Sequence, residues 1–270
     1  MEQVAALYVT TNGCYFGLPG VIPYHGEDHA DGSTTIHRDG REYAGPWPVV
    51  SHSSCKRWGR FFHGSTRKPH QFKLGDDGGC FAHSLDAART WGGVIEHPAD
   101  SKAWAHFNLN APPRSGGWVP ADMFGGWTCC VDQSHYGHFA NKLTWLYVCG
   151  VAFEDLPELI WGKGEQKLHP VALERHGYAK ARRIGMMAMV GGKDKVRIRN
   201  ATPIPFRDVL LSIARSVPQS GHCAPQLPEA QRVGMSGSRG GIHCDAATAA
   251  FHLSFHDDTN SPEAIEHHAA

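Results

Sequence analysis

Short apolar runs separated by a segment of helical spacing constrain the fold of this 270-residue chain most strongly. Residues 4–9 form a compact apolar run that predicts a buried strand, and shorter runs at Val49–Val50 and Val94–Ile95 predict two more. Between those two runs, apolar residues recur at helical spacing from Cys80 to Trp91, and Gly92-Gly93 predicts the end of that helix. Strands that alternate with helices are typical of a mostly parallel sheet that binds ligands at its strand ends.

The same alternation continues toward the C-terminus. Apolar runs predict strands at residues 128–132 and 143–151, and helical spacing predicts helices at residues 168–177 and 206–216. We therefore expect one α/β domain over residues 1–216.

Other stretches lack such periodicity. Residues 22–44 are polar and residues 59–79 are basic and aromatic, and both stretches predict loops. Residues 99–127 are rich in Gly, Pro and Trp and predict an insertion or surface loop. Residues 217–270 are rich in Ser, Gly, His and Ala, a composition that predicts a poorly ordered tail.

Charge and hydropathy exclude some function classes. Lys+Arg and Asp+Glu both total 26, so no global field draws the chain to nucleic acid, and polyanion contacts must come from local clusters such as Lys180–Arg183 and Lys193–Arg199. A cluster of this kind is as often a solvated face. The sequence has no apolar run of about 18 residues and no basic-then-apolar leader, which predicts a cytoplasmic protein without a membrane partner.

The eight cysteines and 19 histidines raise the question of metal binding. Free thiols are the expectation for a chain with this much core. Two groups have the ligand types of a zinc site, but neither has zinc-finger spacing, so no metal is expected. These groups are Cys80-x-x-His83, and Cys129-Cys130 with His135 and His138.

A thiol and a carboxylate follow two of the predicted strands. The strand at Val49–Val50 breaks into a small-residue turn that carries Cys55, and Lys56, Arg57 and His52 are the cations that can lower the pKa of its thiol. Glu96 follows the strand at Val94–Ile95, so the two residues form a candidate pair for covalent catalysis. The alternative is a buried cysteine and a surface glutamate before a His-Pro turn.

The order of these motifs resembles the DNA (cytosine-5) methyltransferase family, and more closely the short methyltransferase-like proteins of bacteriophages and prophages. Ser54-Cys55-Lys56 stands where the family has Pro-Cys-Gln, and Glu96-His97-Pro98 stands where it has Glu-Asn-Val. The family's Tyr-Gly-x-Pro-Gln-x-Arg-x-Arg is matched by residues 136–144, which keep Lys142 in place of a catalytic arginine, and Arg199–Pro203 resembles the segment before its closing helix. The resemblance covers roughly residues 4–216 and implies a Rossmann-like methyltransferase domain.

The resemblance also implies roles for these residues. Cys55 would attack C6 of cytosine, Glu96 would contact N3 of the ring, and Lys142 would offset charge at O2. S-adenosylmethionine is the implied cofactor, at the loop that starts at Thr10 and has one glycine where the family commonly has three. The implied cofactor residues are Thr10, Asn12, Gly13 and Tyr15, with Glu27 or Asp28 for the ribose and Asp39 for the adenine.

The implied partner is cytosine-containing duplex DNA, from which the target base is flipped, bound by a monomer in the cytoplasm of a bacterial host cell. The predicted phosphate contacts are Arg57, Arg60, Arg67, Lys68, Arg197 and Arg199. Two other classes remain open. One is a nucleic-acid-binding protein that kept the fold and lost turnover, which the altered letters around Cys55 and Lys142 favour. The other is a metal-dependent hydrolase or nuclease that uses the histidines.

Overall fold

The computed structural model describes residues 2–25, 39–64, 70–165, 167–168, 170–184, 198 and 200–218. Most of the predicted tail, from residue 219 onward, lies outside this range. The strands are β1 (Val4–Val9), β2 (Val21–His25), β3 (Val49–Ser51), β4 (Gly93–Pro98), β5 (Val119–Pro120), β6 (Trp127–Asp132) and β7 (Leu143–Cys149). The helices are α1 (Cys80–Trp91), α2 (Lys102–His106), α3 (Pro170–Ile184) and α4 (Ile204–Arg215).

The seven strands form one mixed sheet in the order β2-β1-β3-β4-β7-β6-β5. The pairings among β2, β1, β3 and β4 are parallel, and β7 joins β4 and β6 by antiparallel pairings. The prediction of an α/β fold is confirmed, but only half of the sheet is parallel. The reason is the short connection from β6 to β7, which permits an antiparallel hairpin and not a parallel crossover.

Helices cover both faces of the sheet. In β1, Ala5 and Leu7 point to the face that carries α1 and α2, whereas Val4 and Ala6 point to the face that carries α4. Because both faces are covered, every residue of β1 is buried, which explains its continuous apolar run. The prediction of α1 from Cys80 to Trp91 is confirmed at both ends.

Three segments differ from the sequence prediction, and the shortest is β5, which pairs with β6 within the predicted surface loop of residues 99–127. The edge strand β2 lies within a stretch predicted to be a loop, because only Val21 and Tyr24 of its five residues are buried and Pro23 interrupts the apolar pattern. Helix α2 lies within the predicted surface loop, yet Trp104 is 1% exposed and packs on Phe81 and Trp145. Tryptophan is apolar enough to anchor a short helix in the core without a longer periodic run.

Candidate functional site

The order of the strands reverses between β1 and β3, because β2 lies on one side of β1 and β3 on the other. Ligands of open α/β sheets bind outside the carboxyl ends of the strands at such a reversal. The carboxyl ends of β1, β3, β4 and β6 lie at the same edge, since β6 runs parallel to β4 through the two antiparallel pairings of β7. We call this edge the carboxyl edge.

Four side chains form a hydrogen-bonded chain along the carboxyl edge, called here the edge network: Tyr15, His52, Glu96 and Gln133. The Tyr15 hydroxyl lies 2.8 Å from His52 Nε2, and His52 Nδ1 lies 2.9 Å from Glu96 Oε2. Gln133 Nε2 donates to Glu96 Oε1 at 2.9 Å. The edge network therefore joins the loop after β1 to the ends of β3, β4 and β6.

Glu96 is the anionic centre of this network and is only 7% exposed. Burial by itself would raise the pKa of its carboxyl group, but Lys142, whose Nζ lies 3.8 Å from Oε1, and the hydrogen bond from His52 outweigh burial and hold that pKa well below its usual range. An ionised carboxylate only accepts hydrogen bonds, so His52 donates through Nδ1. When the imidazole is neutral, Nε2 then accepts from the Tyr15 hydroxyl.

The turn after β3 places Cys55 at the surface of the same edge. Cys55 is exposed, and its carbonyl oxygen accepts a hydrogen bond from Trp58 N at 3.1 Å. Trp58 is 2% exposed and donates through Nε1 to Asp77 Oδ2 at 2.7 Å, so the turn is anchored in the core. The alternative of a buried cysteine and a surface glutamate is wrong on both points, because Cys55 is exposed and Glu96 is buried.

His97 of β4 points to the other face of the sheet from Glu96. Its ring is 1% exposed, packs on Phe81 at 5.2 Å, and lies with Nδ1 2.7 Å from Ser101 Oγ. Among the described residues, Nε2 has no hydrogen-bond partner with good geometry. The nearby backbone of Ser54 raises the pKa of the ring, but by less than burial lowers it. Burial dominates and lowers the pKa of His97 to about 4.

The loop after β1 is held in place at three points. Gly13 N donates to Thr10 O at 2.9 Å, and Asn12 adopts a left-handed conformation with φ 55°. Tyr15 is 3% exposed and bonded to His52, and Arg207 of α4 donates to the carbonyl of Cys14 at 2.8 Å. The four predicted cofactor residues of this loop are therefore part of a fixed turn, and Tyr15 already serves the edge network.

The structure describes one of the three acids that were predicted to bind the cofactor. Asp39 accepts from Arg41 Nε at 3.0 Å and Nη2 at 2.7 Å, and this pairing with the guanidinium lowers the pKa of the carboxyl group. Glu27 and Asp28 lie outside the described residues. At the end of β2, His25 Nδ1 lies 2.9 Å from Thr11 Oγ1, while its buried Nε2 has no hydrogen-bond partner in the part of the chain that the structure describes.

Of the predicted phosphate contacts, two lie beside Cys55. The Arg57 guanidinium lies 3.3 Å from the centre of the Phe72 ring, and that of Arg60 lies 5.6 Å from the centre of the Phe61 ring. Arg67, Lys68, Arg197 and Arg199 fall outside the described ranges.

The described residues contain no group of three His, Cys, Asp or Glu side chains arranged to hold a metal ion, and this includes the described members of the two groups that have zinc-ligand residue types. Cys129 and Cys130 are buried in the sheet, and His138 Nδ1 bonds with the backbone of Ala140. Within the same described ranges, no helix is long and apolar enough to cross a membrane.

An open cavity of about 520 Å³ lies at the opposite edge of the sheet, beside the start of β6. Its polar wall is the ion pair of Arg89 Nη2 with Asp122 Oδ2 at 2.8 Å, which Tyr147 also joins through its hydroxyl. Because these polar groups satisfy one another and the cavity is far from Cys55 and Glu96, we do not assign it to the candidate site. It is lined by Arg89, Phe107, Asn108, Asn110, Ala121, Asp122, Met123 and Phe124.

The structure thus brings Glu96 and Lys142 together and places the turn of Cys55 at the same edge. Sequence reasoning considered His52 only as a cation near Cys55. It missed His25, Gln133, and Thr144, whose hydroxyl accepts from Gln133 Nε2 at 2.9 Å. The one signal that could have found His52 is its position directly after β3, which mirrors the position of Glu96 near the end of β4. Comparison with protein-family models, curated proteins and solved structures yields no match.

Proposed function

We propose that this protein is an S-adenosylmethionine-dependent DNA cytosine-5 methyltransferase with a Rossmann-like catalytic domain. The observation that carries the proposal is the position of Cys55. It is an exposed thiol in an anchored turn at the carboxyl edge, next to the reversal of strand order, where α/β sheets bind their ligands. The sequence order of Cys55, Glu96 and Lys142, on which the family resemblance depends, fits this placement.

In this proposal the Cys55 thiolate forms a bond to C6 of cytosine, the electron pair of the C5–C6 double bond shifts to the C4–C5 bond, and the C4–N3 pair moves onto N3. Lys142, near the carboxyl edge, offsets the charge that develops on the ring. The pair on N3 would then return to the C4–N3 bond while the C4–C5 pair bonds C5 to the electrophilic methyl group that S-adenosylmethionine supplies when bound, with S-adenosylhomocysteine as the leaving group. Removal of the C5 proton by a base then returns the electron pair to the C5–C6 bond and expels the Cys55 thiolate.

We assign Glu96 a positioning role and not the direct ring contact that the resemblance implies. Both carboxylate oxygens already accept hydrogen bonds from the protein, from His52 on one side and Gln133 on the other. A carboxylate that accepts on both sides holds its donors in place at little cost, and at 7% exposure it leaves little surface for a base to contact. Glu96 then fixes His52 and attracts Lys142.

The residues around the loop after β1 fit a cofactor with a polar sugar. The buried Nε2 of His25 lacks a partner among the described residues, so it offers an unused polar group beside Thr11. An unpaired buried polar atom is costly unless a ligand or water satisfies it. His25 and the turn of Thr10 to Gly13 would hold S-adenosylmethionine at this point.

A second function, binding of nucleic acid without turnover, is favoured by one observation. The carboxylate that the resemblance assigns to N3 of cytosine is fully engaged within the protein. If no other group holds the ring, Cys55 has no oriented target, and the fold serves binding alone.

Transfer of a labelled methyl group from S-adenosylmethionine to cytosine-containing DNA separates the two functions. The wild-type protein is expected to label DNA, and Cys55→Ser is expected to lose labelling while its melting temperature stays within about 2 °C, because a hydroxyl at an exposed position changes stability little. Cys149→Ala is the matched control, since this buried thiol lies at the opposite end of the sheet, paired with Gly93.

Equal labelling by wild type and Cys55→Ser would reject the catalytic proposal. Calorimetric titration with S-adenosylhomocysteine then tests whether the protein binds the cofactor product, which helps to separate the methyltransferase from binding of nucleic acid without turnover. Binding of this product without any labelling of DNA, in a protein that still binds DNA, would support the second function.

A further inference from the structure

Rings and cations alternate on the surface that continues from the Cys55 turn. Phe61 is 68% exposed, with the Arg60 guanidinium 5.6 Å from its centre, and Lys102 Nζ lies 5.0 Å from the centre of the half-buried Phe62 ring. We name this region the aromatic–basic surface and define it as Lys56, Arg57, Arg60, Phe61, Phe62 and Lys102.

This surface is fixed to the core beneath it. Trp58 lies between Cys55 and Phe61 in the chain, and its buried indole packs on Phe81 and Phe107. The carbonyl oxygen of Trp58 accepts a hydrogen bond from Lys102 N at 2.9 Å, which joins the segment after β3 to the start of α2 after β4. The rings are therefore presented by an anchored turn at the carboxyl edge.

The charge of the region is positive where the rings are exposed. Asp77, the nearest buried acid, is engaged by Trp58 Nε1 and by the backbone N–H groups of Gly79 and Phe81 at the start of α1. Asp76 is the exposed acid beside it. Arg60 and Lys102 are exposed beside the aromatic rings and can meet phosphates.

Exposed rings flanked by cations suit an unpaired polynucleotide better than a duplex. The outside of a duplex presents phosphates, and its bases are stacked on one another, so a protein ring finds no free base face. A single strand offers both phosphates and base faces, and proteins that bind it combine a positive groove with aromatic stacking platforms. A lone exposed phenylalanine would need no explanation, but Phe61 stands beside a cation and on the segment that follows Cys55 in the chain.

From this arrangement we propose that the aromatic–basic surface binds single-stranded or locally unpaired DNA, with Phe61 stacking on a base next to the one that reaches Cys55. The inference rests on the proposed function, since it names the form of its substrate. It differs from the sequence-based expectation, in which duplex DNA is the partner and Arg57 and Arg60 contact phosphates only.

Fluorescence anisotropy without cofactor tests the inference independently of methyl transfer. A labelled single-stranded oligodeoxynucleotide and the duplex of the same sequence are titrated at two salt concentrations. The single strand is expected to bind at least about tenfold more tightly than the duplex, and Phe61→Ala is expected to weaken single-strand binding roughly tenfold, the effect of losing one stacked base. Phe61→Trp should retain binding, because its larger ring also stacks.

Phe153→Ala is the matched control, since Phe153 is 52% exposed and follows β7 at the other end of the sheet. Equal affinity for duplex and single strand, or binding that Phe61→Ala leaves unchanged, would overturn the inference. So would binding of dextran sulfate with the affinity of the single strand, because it would show a response to charge alone. Single-strand binding that depends on Phe61, in a protein that transfers no methyl group, would uphold this inference while the methyltransferase proposal falls.

Discussion

Replacement of the buried carboxylate at the centre of the edge network is the sharpest structural test. Glu96→Gln keeps the side-chain volume but removes the charge that accepts from His52 and Gln133, each at 2.9 Å, and that attracts Lys142 at 3.8 Å. A hydrogen bond to a charged group contributes about 1.5–3 kcal/mol, and the glutamine can keep only one of these two acceptor contacts. We expect the free energy of unfolding to fall by about 2–4 kcal/mol at pH 7.

Urea unfolding followed by tryptophan fluorescence measures this loss, and the pH dependence adds a second test. The pKa of Glu96 is lower in the folded chain than its ordinary value of 4.5, so the folded state binds fewer protons than the unfolded state below that pH. The advantage of wild type over Glu96→Gln is therefore complete above about pH 4.5 and shrinks as the pH falls below it. Glu154→Gln, at an exposed position, should change stability by less than about 0.5 kcal/mol.

A loss below about 1 kcal/mol at pH 7, or a difference that grows as the pH falls from 5 to 3.5, would refute this account of the network.

Two other predictions concern the supports of the site. His97 has a folded-state pKa of about 4 and an ordinary value of 6.5, so the unfolded chain takes up a proton that the folded chain rejects. The free energy of unfolding is therefore highest above pH 6.5 and falls toward pH 4, by about 2 kcal/mol at pH 5. His97→Gln should remove this pH-dependent loss, measured by urea unfolding at pH 7.5 and pH 5. An equal loss between the two pH values in both proteins would contradict the prediction. Asp77→Ala should lower the free energy of unfolding by about 3 kcal/mol, because the Trp58 indole and the N–H groups of Gly79 and Phe81 at the start of α1 lose their acceptor. Asp76→Ala should change it by less than about 0.5 kcal/mol, and equal effects of the two substitutions in thermal unfolding would reject the anchoring role.

The sequence predicted the helices and strands whose local apolar pattern matches the burial of their side chains. Helix α1 has a clear apolar face and a glycine stop, and β1 is apolar at nearly every position because both faces of the sheet are covered. Strand β2 escaped prediction because an edge strand buries few side chains, and its residues carry no more apolar signal than a loop. Helix α2 has five residues, too few for a period, and is held by the buried side chains of Ala103 and Trp104 and by the Ser101 cap.

The sequence allowed us to predict that the Cys55 turn and Glu96 lie at one edge of the sheet, but not which side chains form hydrogen bonds with Glu96. The rule that parallel strands end at one edge places the Cys55 turn and Glu96 together from sequence alone. The hydrogen bonds of Glu96 reach residues 37 and 44 positions away, at Gln133 and His52, and no local pattern encodes a pairing at that separation. The family resemblance also implies a cofactor role for Tyr15, whereas its hydroxyl is bonded to His52.

Covalent trapping on DNA tests the central claim, that Cys55 is the nucleophile, most directly. In a strand that carries 5-fluorocytosine, the C5 position has no proton for the final elimination, so a Cys55 adduct that has accepted the methyl group cannot release the enzyme. Incubation with S-adenosylmethionine, denaturation, and mass spectrometry of the digested complex should show one methylated cytosine joined to the peptide that contains Cys55, and Cys55→Ser should show none. An adduct on another residue, or no adduct from wild-type protein that binds both S-adenosylhomocysteine and the strand, would contradict the account.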